Sequence, residues 1–105
     1  MENFGYVFAS KMLVEGKNTK KVQFMYREAP RNPDDSGWSF FCGEEDNVYV
    51  SEPKNIGIYD IQTILERDSS VVPYLDSPPG SAFERENEND DFVSVADFVF
   101  GQEDN

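Results

Sequence analysis

Carboxylates are the side chains with the most capacity for chemistry in this 105-residue sequence: 21 Asp and Glu stand against 9 Lys and Arg, and there is no His. Without His there is no Ser–His or Cys–His nucleophilic pair and no His-containing zinc site, and the single Cys42 cannot replace them. Cys42, between Phe41 and Gly43, reads as a small buried residue with no base to form its thiolate. The glycine patterns that cradle phosphates or dinucleotides do not occur. Acids could still hydrolyse glycosides if two of Glu45, Asp60, Asp76 and Glu84 faced each other across a cleft, but nothing in the linear order pairs them. The run "ENENDD", residues 86–91, carries oxygens a calcium ion would accept. It lacks the ligand order, glycine and closing glutamate of an EF-hand loop, so it reads as a solvated hairpin tip. The expectation is a protein with no catalytic residue, no metal and no cofactor.

The densest acidic run follows the densest aromatic run, in "SGWSFFCGEED", Ser36 to Asp46. Two readings compete for Glu44, Glu45 and Asp46. In one, Gly43 ends a core strand and the acids are its solvated exit turn. In the other they form an acidic rim held on a rigid edge for a partner, with Asp34 and Asp35 contributing from the far end of the strand. A six-residue strand spans roughly 20 Å, so the two groups can share a broad negative surface but not one tight cluster. The residues alone favour the exit turn. Trp38 and Phe83 likewise read as core anchors before ligand platforms.

The formal net charge is −12. Such a chain repels phosphate backbones and anionic membranes, which excludes direct nucleic-acid and membrane binding from the expectation, whereas a basic protein partner would be attracted and steered. Acidity for solubility alone is the competing explanation. No apolar run approaches the roughly 20 residues of a membrane span. The N-terminal "MENFGYVFAS" has an acid where a signal peptide has basic residues, and one cysteine cannot form an internal disulfide, so the expected compartment is the cytoplasm.

The elements that must position these residues fit one domain over residues 1–105, with a fraying tail at 102–105. "GYVFAS" reads as a strand, Ser10 as the cap of a brief helix stopped by Gly16. "KKVQFMYREA" alternates Val22, Phe24 and Tyr26 with Gln23, Met25 and Arg27, the period of a half-buried strand with the first set inward. "WSFFC" carries aromatics on both faces and therefore reads as central or covered by a helix on one side, antiparallel to the strand before it. "NVYVSEPKN" reads as a short helix or an irregular connection, and "IGIY" as a strand. Asp60 caps the helix "IQTILERD", with Ile61, Ile64 and Leu65 as its apolar stripe. Val71, Val72, Tyr74 and Leu75 form a lid, and "SAFERE" and "FVSVADF" close the sheet, with Phe98 and Phe100 on one face of an edge strand. The predicted fold is α+β: a mainly antiparallel sheet of about five strands with one main helix packed on it.

"SGWSFFCGEED", "NIGIYDIQTIL" and "VVPYLDSPPGSAFERE", in that order and spacing, resemble the bacterial DUF2185 family, also described as the immunity protein Imm33 domain. The resemblance runs from about Tyr6 to Val95. Its most specific pieces are Gly37 and Trp38 with Phe40 and Phe41, Gly43 with Glu45 and Asp46, Ile58, Tyr59 and Asp60, and Gly80 with Phe83. It implies a small cytoplasmic α+β protein, not an enzyme, that neutralises a toxin of a polymorphic or contact-dependent system. It attaches no catalytic residue, and it implies a small residue at position 42, in keeping with an inert thiol. The function expected is therefore an immunity protein that binds a toxin, a basic one, through an acidic surface. A regulatory or adaptor protein with no toxin is the alternative, and a DNA-mimicking inhibitor ranks below both.

Overall fold

The computed structural model describes residues 5–15 and 20–95. Along the chain it contains β1 (Tyr6–Ser10), α1 (Lys11–Val14), β2 (Phe24–Arg27), β3 (Asp35–Phe41), α2 (Asn47–Ser51), β4 (Ile56–Asp60), α3 (Ile61–Arg67), β5 (Ala82–Glu84) and β6 (Val93–Ser94). Short 3₁₀ helices cover Pro53–Asn55 and Ser69–Tyr74. The expected stop at Gly16, the Phe98–Phe100 segment and the tail at 102–105 lie outside the described residues.

The strands form one sheet in the order β4-β1-β3-β2-β5-β6. Neighbours are antiparallel except β1 and β3, which run parallel. The chain between these two forms α1 and then β2, which takes the far edge of β3 and leaves the near edge to β1. The fold is thus the expected α+β sheet, with one parallel pair and a two-residue sixth strand added. β3 is central as expected, its Trp38 and Phe40 on the core face and Phe41 on the other, less buried one. Inside β3, Gly37 sits at φ +87°, where a Cβ would lie 2.1 Å from the Glu28 carbonyl oxygen, so the close approach of β2 requires glycine there.

The core lies between the sheet and the short helices. Val7, Ala9, Met25, Trp38 and Phe40 meet Leu13, Ile61, Ile64, Val71 and Leu75, all nearly or fully out of water. The Asp60 carboxylate accepts the Gln62 N–H at 2.9 Å and starts α3, whose Ile61 and Ile64 point inward. The Trp38 indole N–H donates to the Leu75 carbonyl at 3.2 Å, tying the lid segment to the central strand.

Two sequence expectations change here. In β2 it is Met25 that is fully buried, whereas Phe24 and Tyr26 are only half-buried on the opposite face. α1, α3 and the 3₁₀ helix Ser69–Tyr74 pack on the face that Met25 shares with Phe40, and Arg27 is tolerated on it because its guanidinium lies over the Trp38 ring and donates to the Ser36 and Ser77 carbonyls. In the lid, Val71 and Leu75 are buried but Val72 is exposed. A 3₁₀ helix has three residues per turn, which stacks Val71 with Tyr74 on one edge and turns Val72 to another.

One polar feature runs through the core. The Arg85 guanidinium pairs with the Asp68 carboxylate at 2.8 Å, both side chains buried, and lies 4.3 Å over the Phe92 ring. The same carboxylate accepts the Val22 N–H, and the same guanidinium donates to the Val22, Glu88 and Asp90 carbonyls. Every charge is therefore met by hydrogen bonds, the condition under which a buried pair is tolerated. The pair fastens the end of α3 to β2 and β5.

Candidate functional site

At the end of β3 the chain must stop pairing and turn away, which leaves backbone N–H groups in need of acceptors. Glu45 supplies them: one carboxylate oxygen accepts the Cys42 N–H and the other the Gly43 N–H, both at 2.9 Å. Gly43, at φ +88°, takes the left-handed turn that lets the chain double back on its own strand end. Burial pushes the Glu45 carboxyl up, but the Cys42 N–H and the Ser10 hydroxyl favour its charged form and together hold it below its ordinary value. Asp46 accepts the Tyr49 N–H at 2.8 Å and caps α2. Glu44 is exposed and pairs with Lys20 at 3.5 Å, a surface contact of small energy. Two of the three acids in "GEED" therefore build the exit turn while keeping a negative rim around it.

Asp34 and Asp35, at the other end of β3, divide in the same way. Asp35 is buried and accepts the Arg31 and Gly37 N–H groups at 2.9 and 2.8 Å, with the Arg31 guanidinium at 3.0 Å. Burial disfavours its charge, but these donors outweigh it and the carboxyl is held below its usual range. Asp34 is exposed. The two acidic groups stand at opposite ends of β3, as the strand length required.

Between the rim and the sheet lies an open recess of about 490 Å³, bounded by Phe41, Val50, Glu45, Asp46 and Asn47 with Phe24 and Tyr26 behind them. Tyr26 stacks on Phe41 at 6.0 Å, and Phe24 leans on both rings. The helix beside it, α2, has no buried residue, and its Val48 is 79% exposed. The sequence pattern gave α2 no separate role and set Phe24 and Tyr26 inward. The signal that could have found this surface was Val-x-Val next to acids in a segment with no partner stripe to bury it.

The groups weighed for catalysis or metal binding are not gathered into one site. Glu45 and Asp60 hold backbone N–H groups, Asp76 follows the lid, and Glu84 lies on β5 beside Glu86, Asp90 and Asp91 around another recess. Among the described residues no group of three or more Cys, Asp or Glu is placed to hold a metal ion. In the "ENENDD" loop the Glu88 and Asp90 carbonyls, which a cation would need, receive the Arg85 guanidinium, and Asn87 accepts the Asn89 N–H. The Cys42 thiol is buried, 3.5 Å from the Met12 sulfur, and burial with the nearby Glu45 and Glu44 carboxylates pushes it up to about 11. Tyr59 donates to Glu15 at 2.8 Å, and burial with that carboxylate raises its phenol to about 12. Gly80 donates its N–H to the Arg27 carbonyl at 2.7 Å, and Phe83 packs 4.9 Å from Tyr74 and 6.5 Å from Trp38, so both are structural. No helix of the described residues is long and apolar enough to cross a membrane.

Compared with known proteins, residues 7–96 match the family model described as the immunity protein Imm33 domain. No curated protein and no solved structure matches the chain.

Proposed function

This chain belongs to the immunity protein Imm33 domain family, and from that premise we propose that it neutralises a cognate bacterial toxin by binding it, without catalysis, in the cytoplasm. The family match over nearly the whole chain is the observation that carries this reading. The charge supports its mechanism. A protein at −12 attracts a basic enzyme, such as one that handles phosphate, and is repelled by nucleic acid and anionic lipid. The exposed acids Glu44, Asp46 and Asp34 steer the encounter, while Glu45 and Asp35 act indirectly by fixing the backbone that presents them.

The test is growth. Proteins captured by the chain at low and at moderate salt are expressed singly, with and without it. The expected result is a basic partner that arrests growth alone and not in the company of the chain, captured less well at moderate salt and by the Asp34→Asn, Glu44→Gln double variant. A partner harmless by itself, or a harmful one whose effect persists beside the chain, contradicts toxin neutralisation. Capture indifferent to salt and to the double variant contradicts the acidic surface alone.

A further inference from the structure

We propose that α2 and the recess beside it form a preformed docking knob for a basic amphipathic segment of a protein partner, whose apolar side chains pack on Val48 and Val50 and whose Lys or Arg side chains meet Glu44, Asp46 and Glu52. The inference deepens the immunity reading, since the knob would be the part shown to the toxin.

A helix of five residues cannot hold itself together in water, and α2 has no buried side chain to stabilise it. Side-chain hydrogen bonds fix it instead. Asp46 caps its start, the Asn55 amide donates to the Tyr49 carbonyl at 3.0 Å, and the Ser51 hydroxyl donates to the Val48 carbonyl at 2.9 Å. Upstream, Glu45 clamps the turn from which it departs. The sequence thus holds in one shape a helix that contributes nothing to the core, and its product is a pair of valines, 79% and 42% exposed. Val50 also walls the recess of about 490 Å³ with Phe41, while Val48, two residues earlier, leaves the helix on another side, so exposed apolar surface runs from the hollow around α2. Apolar surface beside an apolar hollow suits an interdigitating side chain from a partner.

Charge decides what covers them. From Asn32 to Pro53 the sequence holds six acids and no Lys or Arg, and Glu44, Asp46 and Glu52 are exposed on both sides of the valines. The cations flanking that stretch are Arg31, paired with Asp35 and Glu28, and Lys54 in the 3₁₀ turn, while Lys20 pairs with Glu44. A second copy of this chain would set acid against acid at a net charge of −12 per molecule, and an anionic membrane would be repelled. A segment that alternates cationic and apolar side chains satisfies both the valines and the acids around them.

The test needs no toxin. The amides of the full chain are followed by NMR during titration with three synthetic helical peptides of equal length: one of Lys and Leu, one of Lys and Ser, and one of Glu and Leu. The Lys/Leu peptide is expected to shift the Val48, Val50 and Gly43 amides saturably, the Lys/Ser peptide to shift them weakly, and the Glu/Leu peptide not at all. The Val48→Ser, Val50→Ser double variant, which empties no core position, should bind the Lys/Leu peptide roughly tenfold more weakly with other amides unmoved. Equal binding of the Glu/Leu peptide, shifts centred away from α2, or full affinity in the serine variant overturns the proposal. Shifts of the same amides on concentrating the chain alone would name a second copy as the occupant and overturn it too. A failed titration beside growth protection removes the knob and leaves the immunity reading, and the reverse pair of results does the opposite.

Discussion

Glu45 shows how one residue can belong to the fold and to the surface together. Its carboxylate satisfies two N–H groups that the end of β3 would otherwise leave without acceptors, and it remains half-exposed in the acidic rim. Replacement by Gln removes the charge from one acceptor pair and should cost about 1–2 kcal/mol in urea unfolding. The pH dependence has a definite sign. Glu45 and Asp35 both have folded values below their ordinary ones, so their stabilisation is complete above the ordinary carboxyl range and is lost as pH falls through the depressed folded values. Stability should therefore fall on acidification, and Glu45→Gln should flatten that fall relative to the native chain. The sequence made the acids visible but not this division of labour. Which carboxylate turns back onto the Cys42 and Gly43 amides depends on the left-handed turn at Gly43, and linear order cannot distinguish Glu44 from Glu45.

At the scale of elements, legibility followed periodicity. The α3 stripe of Ile61 and Ile64 and its Asp60 cap were readable because both are local, and so was the central place of β3 with its two-faced aromatics. The inward face of β2 was misread because Phe24 and Tyr26 are larger than Met25, and only the tertiary position of the helices decides which face is covered. The Asp68–Arg85 clamp had no signal at all, since its partners are 17 residues apart and meet through β2. These differences predict different costs. Asp60→Ala loses one exposed helix cap, about 1 kcal/mol. Arg85→Ala leaves Asp68 charged and buried without its partner and should cost roughly 3–5 kcal/mol. Chemical unfolding of the two variants side by side measures both, and equal costs would mean that the buried pair is not the fastening its geometry describes.

For the whole molecule, the charge balance was fully readable and the placement of the acids was not. The sequence left five acids between an exit turn and one broad surface; the fold buries Asp35, half-buries Glu45 and leaves Asp34, Glu44 and Asp46 outside. What remains is a small sheet protein with acids on its exterior and an exposed short helix, α2, beside an open recess. Binding and catalysis differ in stoichiometry, and that difference offers the most direct measurement. The activity of the purified toxin partner is titrated with purified chain at concentrations well above their dissociation constant. Neutralisation by binding predicts a linear fall that reaches zero at a fixed ratio near one chain per partner, with Cys42→Ala as effective as the native chain. Activity that persists in excess chain, or that vanishes with only a small fraction of an equivalent, would contradict it.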